Sequence, residues 1–164
     1  MSNEEIFLRT TEFRFRRVHD YATIQSVMTH EKIYAAISDD FSPPREKFLA
    51  RLDDAIWYVG CWMDDSFLGL WAFLPTSAMR WSVHTCLLPC AWGSAVAATK
   101  AMLVWLWNNS PCQRIVTEVP VENRLALRLA KQAGMEFIGI DRKSIMKGGK
   151  LQDQILLGLS KLAD

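Results

Sequence analysis

Residues 87–107, LLPCAWGSAVAATKAMLVWLW, decide the fold: an apolar strand breaks at Pro89, turns through Gly93 and enters a long helix. A strand, a small-residue turn and a helix start together make an anion site. The free amides of the first helical turn and the helix dipole favour a phosphate there, and small side chains let it come close. The stretch therefore predicts a phosphorylated cofactor, although one glycine before a helix does not say which. The apolar run from Ser94 to Trp107 contains Lys100 and falls short of the ~20 residues of a bilayer span, so a buried helix is expected.

Upstream of this stretch the pattern is β. Arg80 to Leu88 reads as a strand, preceded by WYVGCWM from Trp57, a turn at Asp64-Asp65-Ser66, and FLGLWAFLP, which together make a hairpin. Nearly continuous apolar runs predict a sheet covered on both faces, with Trp57, Trp62, Trp71 and Trp81 serving the core. Earlier still, Phe13 and Phe15 alternate with Arg14 and Arg16, giving a first strand through about Val18. Asp20 can cap a helix carrying Ile24, Val27 and Met28, and the polar break at Ser38 to Ser42 separates it from a second helix. Ser42 as N-cap and Pro43 at the first helical position would place Phe48, Leu49 and Leu52 on one face of that second helix. Between them, EKIYAAISDDF carries Asp39 and Asp40, read as a solvated loop with substrate contact as the alternative.

Downstream, Asn108 to Pro111 stops the long helix and RIVTEV follows as a strand. Asn123 to Ala133 places Leu125, Leu129 and Ala133, with Ala126 and Ala130, on one helical face, and Gly134 suits a left-handed C′ position. Glu136 to Arg142 and Gln154 to Leu159 are the last strands, around a basic turn KGGK at Lys147 to Lys150. The order β, α, α, β, β, β, α, β, α, β, β predicts an α/β sandwich with a mixed sheet.

At 164 residues the chain reads as one domain, 1–164, able to bury a core without metal or disulfide support. Nineteen basic against 18 acidic residues leave a net charge of +1, which argues against a broad nucleic-acid or membrane footprint. An acidic ligand must then be caught locally. MSNEEIFLRTTEF does not resemble a secretory signal, so a cytoplasmic location is expected. Cys61, Cys86, Cys90 and Cys112 form no CxxC pair and read as reduced thiols; His84, Cys86 and Cys90 lack a zinc spacing, so no metal is expected.

The element order, with P-x-x-W-G-x-A at Pro89 to Ala95 and VPVENRLALRLAKQAGMEFIG at Val119 to Gly139, resembles the GNAT superfamily of acetyl-CoA-dependent N-acetyltransferases. The resemblance covers most of the chain. Its most specific part is the second block, where an asparagine opens a helix and Gly134-Met135 leads into the next strand. The first block is similar to the branch that includes ribosomal-protein N-terminal acetylases. The resemblance implies a three-layer sandwich with a splayed mixed sheet, and acetyl-CoA as cofactor. It assigns the pantetheine arm to the backbone at Leu87 and the pyrophosphate to amides of Trp92, Gly93, Ser94, Ala95, Val96 and Ala97. Asn123 matches the cofactor-contacting asparagine, with an ordinary N-cap as its alternative.

Two departures stand out. Trp92 lies where the family often has Arg or Gln, and Ala95 replaces a second glycine, which would crowd the phosphates if a positive φ were required there. The same requirement at Gly93 would make Gly93→Val incompatible with cofactor binding, whereas Trp92 would either flank the cofactor entrance or plug the core. The family's acid positions, a tyrosine seven residues after the asparagine and a serine, fall on Ala130 and Ala126, and neither can transfer a proton. His84, in the fourth strand, and Glu118, at the end of the fifth, are the substitute catalytic candidates for deprotonating an amine. Cys86 shares the strand face of His84 and reads as a small core residue.

A narrower resemblance, carried by VHTCLLPCAWG, VPVENR and the KGGK turn, is to GNAT-like proteins of tailed bacteriophages described as head-assembly proteins or uncharacterised. It implies phage structural proteins as partners, in a host cytoplasm, for a fold that has lost its proton-transfer residues. The enzymatic reading implies instead an amine-bearing small molecule or protein as acceptor.

Overall fold

The computed structural model describes residues 13–162; the N-terminal segment read as lacking a secretory signal lies outside them, apart from Phe13. Seven strands form one sheet: β1 (Phe13–Arg17), β2 (Trp57–Met63), β3 (Ser66–Pro75), β4 (Arg80–Leu87), β5 (Arg114–Pro120), β6 (Glu136–Lys147) and β7 (Lys150–Ser160). They lie in the order β1-β2-β3-β4-β5-β7-β6, and every pairing is antiparallel except β4 with β5. Four helices cover it, namely α1 (Tyr21–Met28), α2 (Glu31–Ile37), α3 (Ala95–Asn109) and α4 (Arg124–Gln132). The element order is the one the sequence predicts.

Strand alternation sorts the core into two layers. Trp71, Phe73, Trp81 and Val83 point to one face and meet Ala98, Met102 and Leu106 of α3. Leu70, Ala72 and Cys86 point to the other and meet Ile24 and Val27 of α1 and Ile33 of α2. This is the expected three-layer sandwich. Trp71 and Trp81 are fully buried, whereas Trp57 and Trp62 are half-buried beneath Arg17 and Arg16, whose guanidinium carbons stand 4.0 and 4.5 Å from the ring centroids. The long helix is not buried all round. α3 buries one stripe, and Val104 on its back is 61% exposed, because the helix forms an outer layer over the sheet.

Three local expectations give way. The second helix is EKIYAAI rather than the Ser42 segment: His30 Nδ1 caps it by accepting from the Lys32 amide, and Ile33 and Tyr34 are buried. After Ser42, Pro44 pushes the preceding Pro43 away from the helical region, and only a 3₁₀ turn at Arg45–Lys47 forms. Leu49 and Leu52 are consequently exposed. In α4 the buried face is Ala126, Leu127, Ala130 and Ala133, with Leu125 turned to solvent, while Gly134 takes the expected positive φ of 98°.

The last two strands run further than predicted. The strand read as ending at Arg142 continues: a bulge between Asp141 and Ile145, with Lys143 at φ 51°, carries β6 on to Lys147. The Lys143 amide donates to Asp153 Oδ1 at 2.8 Å. Gly148 and Gly149, at φ 61° and 73°, then make the tight turn that two left-handed residues allow. The hairpin tip grips α2. Asp40 accepts from the amides of Gly148 (2.8 Å) and Gly149 (2.7 Å), and Lys147 Nζ donates to the carbonyl oxygens of Ala35 (2.7 Å) and Ala36 (3.3 Å) at the helix C-terminus. Asp40 is exposed in the loop after α2, as the sequence reading has it, and in addition clasps elements 108 residues apart. Asp40→Ala should cost about 1 to 3 kcal/mol in urea unfolding, since two charge-assisted bonds are lost, while Asp65→Ala in the open β2–β3 turn should change little.

Candidate functional site

Among the described residues the β4–β5 pair is the only parallel one in the sheet, and it holds together for just three rungs. Arg80, Trp81 and Ser82 stand against Arg114, Ile115 and Val116. One residue on, the Thr117 hydroxyl donates to the Val83 carbonyl oxygen at 3.2 Å, a side chain replacing the ladder bond. Beyond that the strands part. β4 keeps its pairing with β3 to Leu87 and β5 keeps its pairing with β7 to Pro120, so each is held by its outer neighbour while the gap between them opens.

A cleft fills this gap and passes through the sheet. On the α1–α2 side it is lined by His84, Glu118 and the end of α2 at Ala36 and Ile37; on the α3–α4 side by Trp71, Thr99, Met102, Asn123, Ala126 and Ala130, among others. His84 and Glu118 are each two residues past the last paired rung, and by alternation they share a face. They confront each other across the splay. The His84 side chain is exposed at the cleft mouth, yet the walls displace much of its water: this desolvation lowers its pKa from the usual 6.5, and the charge of Glu118 pulls the other way. Open water at the mouth limits the size of the effect. The imidazole is neutral at pH 7 and can accept a proton.

Asn123 lines the same cleft, but its Oδ1 is engaged: it caps α4 by accepting from the Ala126 amide at 3.2 Å. Its amide nitrogen has no hydrogen-bond partner among the described residues and can donate to a ligand. Ala126 and Ala130 line the cleft as well, so the two positions that the GNAT resemblance assigns to acids present methyl groups to it. Cys86 lies on the His84 strand face as expected and is fully buried, its thiol pushed up to about 12 by burial, which makes it inert packing.

Leu87 and the residues from Trp92 to Ala97 are outside the cleft lining, at the β4–α3 turn beside it. The turn differs from the expected amide cradle. Pro89–Ser94 is a 3₁₀ helix, and α3 begins at Ala95 rather than Ser94. Its amides are partly committed, with Ala91 donating to Leu88 and Ala95 to Trp92, whereas Ser94 provides no side-chain cap. Gly93 does not have a positive φ, and Ala95 sits at φ −60°, so the strain argument against side chains there falls. A Cβ at Gly93 would meet nothing within 4 Å.

Trp92 is not a core plug. It is 47% exposed, its Nε1 donates to the Leu87 carbonyl oxygen at 3.1 Å, and Lys32 of α2 stands 5.2 Å from its ring centroid. The indole thus ties the end of β4 to the turn and presents a cation beside it. Trp92→Ala should cost about 1 kcal/mol in urea unfolding, the scale of one hydrogen bond, rather than the 3–5 of a buried aromatic.

Trp71, Thr85, Thr99 and Thr117 were not anticipated as cleft residues. Trp71 and Thr85 are cross-strand partners, and Thr99 reaches the cleft from α3, so only the sheet register brings them together. Among the described residues no group of three His, Cys, Asp or Glu side chains gathers as a metal site requires, and no helix is long and apolar enough to cross a membrane.

No family model and no curated protein matches the sequence. The fold, in contrast, has many solved counterparts. A ribosomal L7/L12 α-N-protein acetyltransferase, RimL, in complex with coenzyme A superposes with a TM-score of 0.74 at 13% identity, over 94% of this chain and 97% of that one. Spermidine N-acetyltransferase from Vibrio cholerae, in complex with CoA and spermine, gives 0.65 at 14% identity over 90% and 95%. An N-acetyltransferase from Staphylococcus aureus Mu50 gives 0.67 at 11% over 91% and 97%. At such identities the likeness carries the fold alone: a mixed, mostly antiparallel seven-stranded sheet flanked by helices, as in the GNAT acetyltransferases.

Proposed function

We propose that the protein is an acetyl-CoA-dependent N-acyltransferase whose reaction takes place in the β4–β5 splay. The observation that carries the reading is the opposition of the His84 and Glu118 side chains across a cleft that passes through the sheet. Such a cleft lets donor and acceptor arrive from opposite sides. Acetyl-CoA supplies an activated acyl group as a thioester; relatives of the same fold bind CoA, and one binds spermine. Leu87 backbone, the turn from Trp92 to Ala97 and the Asn123 amide hold it, with Lys32 beside the turn as a local positive charge.

An acceptor amine enters past Ala36 and Ile37 to His84. An alkylamine has a pKa near 10.4, so it arrives protonated and needs a base to become a nucleophile. His84 removes the proton, helped by the negative charge of Glu118, which stabilises the resulting imidazolium. The amine nitrogen bonds to the acyl carbon and gives up its second proton to water, the carbon–sulfur bond breaks and the thiolate leaves. A thiol has a pKa of about 8.5, so this leaving group is protonated by water without a strong acid, and Ala126 and Ala130 are no obstacle. Positioning supplies the rest. The acceptor is an amine-bearing small molecule or protein.

The same two alanines favour a second reading: a fold of this kind without turnover, serving as an interaction protein in assembly, as the phage resemblance implies. Titration with acetyl-CoA separates them. A ligand at ~100 times its dissociation constant stabilises the native state by about 2.7 kcal/mol, which a thermal shift resolves. A flat melting temperature across saturating acetyl-CoA, with no CoA release in a screen of amine and peptide acceptors, would leave the assembly reading standing.

A further inference from the structure

The α3–α4 side of the cleft contains two polar groups that the proposed reaction does not use. Trp71 is completely buried and Thr99 is 8% exposed; both line the cleft, and neither Trp71 Nε1 nor Thr99 Oγ1 has a hydrogen-bond partner among the described residues. A buried donor left unpaired is costly, and two in one cavity call for a common occupant. The indole can only donate, so that occupant must be an acceptor. Among the described residues no Lys or Arg lines the cleft, so a charged oxygen would be buried without a partner. The remaining wall here is apolar, with Val83, Met102, Leu103 and Ile115.

From this we infer that the cleft extends past the thioester into a subsite for an acyl chain longer than acetyl, bearing one neutral oxygen that accepts from Trp71 Nε1 and Thr99 Oγ1. Short hydroxyacyl or ketoacyl thioesters of CoA are the class that fits: the methylenes lie on Met102 and Ile115 and the oxygen meets the two donors. The inference rests on the acyltransferase reading and specifies its donor.

Calorimetric titration of the whole chain with acetyl-CoA, butyryl-CoA, 3-hydroxybutyryl-CoA and succinyl-CoA tests it without relying on turnover. The hydroxyl should tighten binding over butyryl by about ten-fold, the worth of pairing otherwise unsatisfied donors. In Thr99→Val and, separately, Trp71→Phe that ratio should fall to near one. Thr99→Val removes an unpaired hydroxyl and replaces it with a methyl of the same shape, so the unliganded protein should melt no lower than wild type, which guards against reading misfolding as lost preference. Equal affinity for butyryl and 3-hydroxybutyryl, with acetyl-CoA still bound, overturns the subsite and assigns the two donors to water. A preference for succinyl-CoA over 3-hydroxybutyryl-CoA overturns the neutral-oxygen assignment. Absence of acetyl-CoA binding overturns the acyltransferase reading and the subsite with it.

Discussion

Gly69→Ala should leave the protein unfolded or remove more than about 3 kcal/mol of its stability, measured by urea denaturation followed through tryptophan fluorescence. Gly69 lies in β3 at φ 122°, where an L side chain is strained whatever the space around it. A Cβ there would stand 2.4 Å from the Cys86 carbonyl oxygen and 2.8 Å from the Leu87 Cα, both backbone atoms of the neighbouring strand. Neither can swing aside as a side-chain tip would. Relief requires β4 to move away from β3, which breaks the Gly69–Leu87 pairing and the bond from the Leu88 amide to the Leu68 carbonyl oxygen at 2.9 Å. Native domains have about 5–15 kcal/mol in all, so a combined strain and clash of this kind uses a large share. The contrast is Gly93→Ala: no atom would come within 4 Å and the φ is ordinary, so its stability should stay within about 0.5 kcal/mol of wild type. Unchanged stability in Gly69→Ala would mean that β4 does not approach β3 so closely where the cleft begins.

The two glycines also show what could be read in the sequence and what could not. Strand against helix was legible nearly everywhere, since Trp57–Met63, Ser66–Pro75 and Arg114–Pro120 carry the branched and aromatic residues of covered strands. Position along the chain was less so. Helix α2 begins after a histidine cap, a weak signal beside the Ser42-Pro43 pair, yet the second proline at 44 cancels that pair's meaning. The β6 extension was hidden because its polar run is held by Asp153, a partner visible only once β7 is paired.

The site was legible in the same uneven way. His84 and Glu118 could be proposed one strand at a time, and the splay brings them opposite each other. Trp71 and Thr99 could not, because an unpaired polar atom is a property of the packed interior and has no counterpart in the pattern of letters. Gly93, the glycine that organised the reading of the turn, has an ordinary backbone, while Gly69, silent within an apolar strand, carries the close approach.

If His84 is the base, His84→Ala should lower kcat by about 10²- to 10⁴-fold, the range of general-base catalysis, with the acetyl-CoA dissociation constant unchanged because the imidazole faces the acceptor side. The pH profile sharpens this. Burial lowers the pKa of His84 from 6.5, so the acid limb of wild-type kcat/KM should lie at lower pH than an unperturbed imidazole would place it. Stability carries the same sign. Between the folded pKa and the unfolded 6.5 the unfolded chain binds more protons, so the contribution of His84 is fully present above pH 6.5 and is lost as pH falls through the folded value. His84→Ala should therefore flatten the acid side of the stability profile as well as the rate profile. Glu118 pulls against burial, so Glu118→Gln should move the acid limb of kcat/KM to still lower pH while keeping measurable turnover. Loss of turnover and of the limb together in Glu118→Gln, with His84→Ala active, would exchange the two roles and make the carboxylate the base.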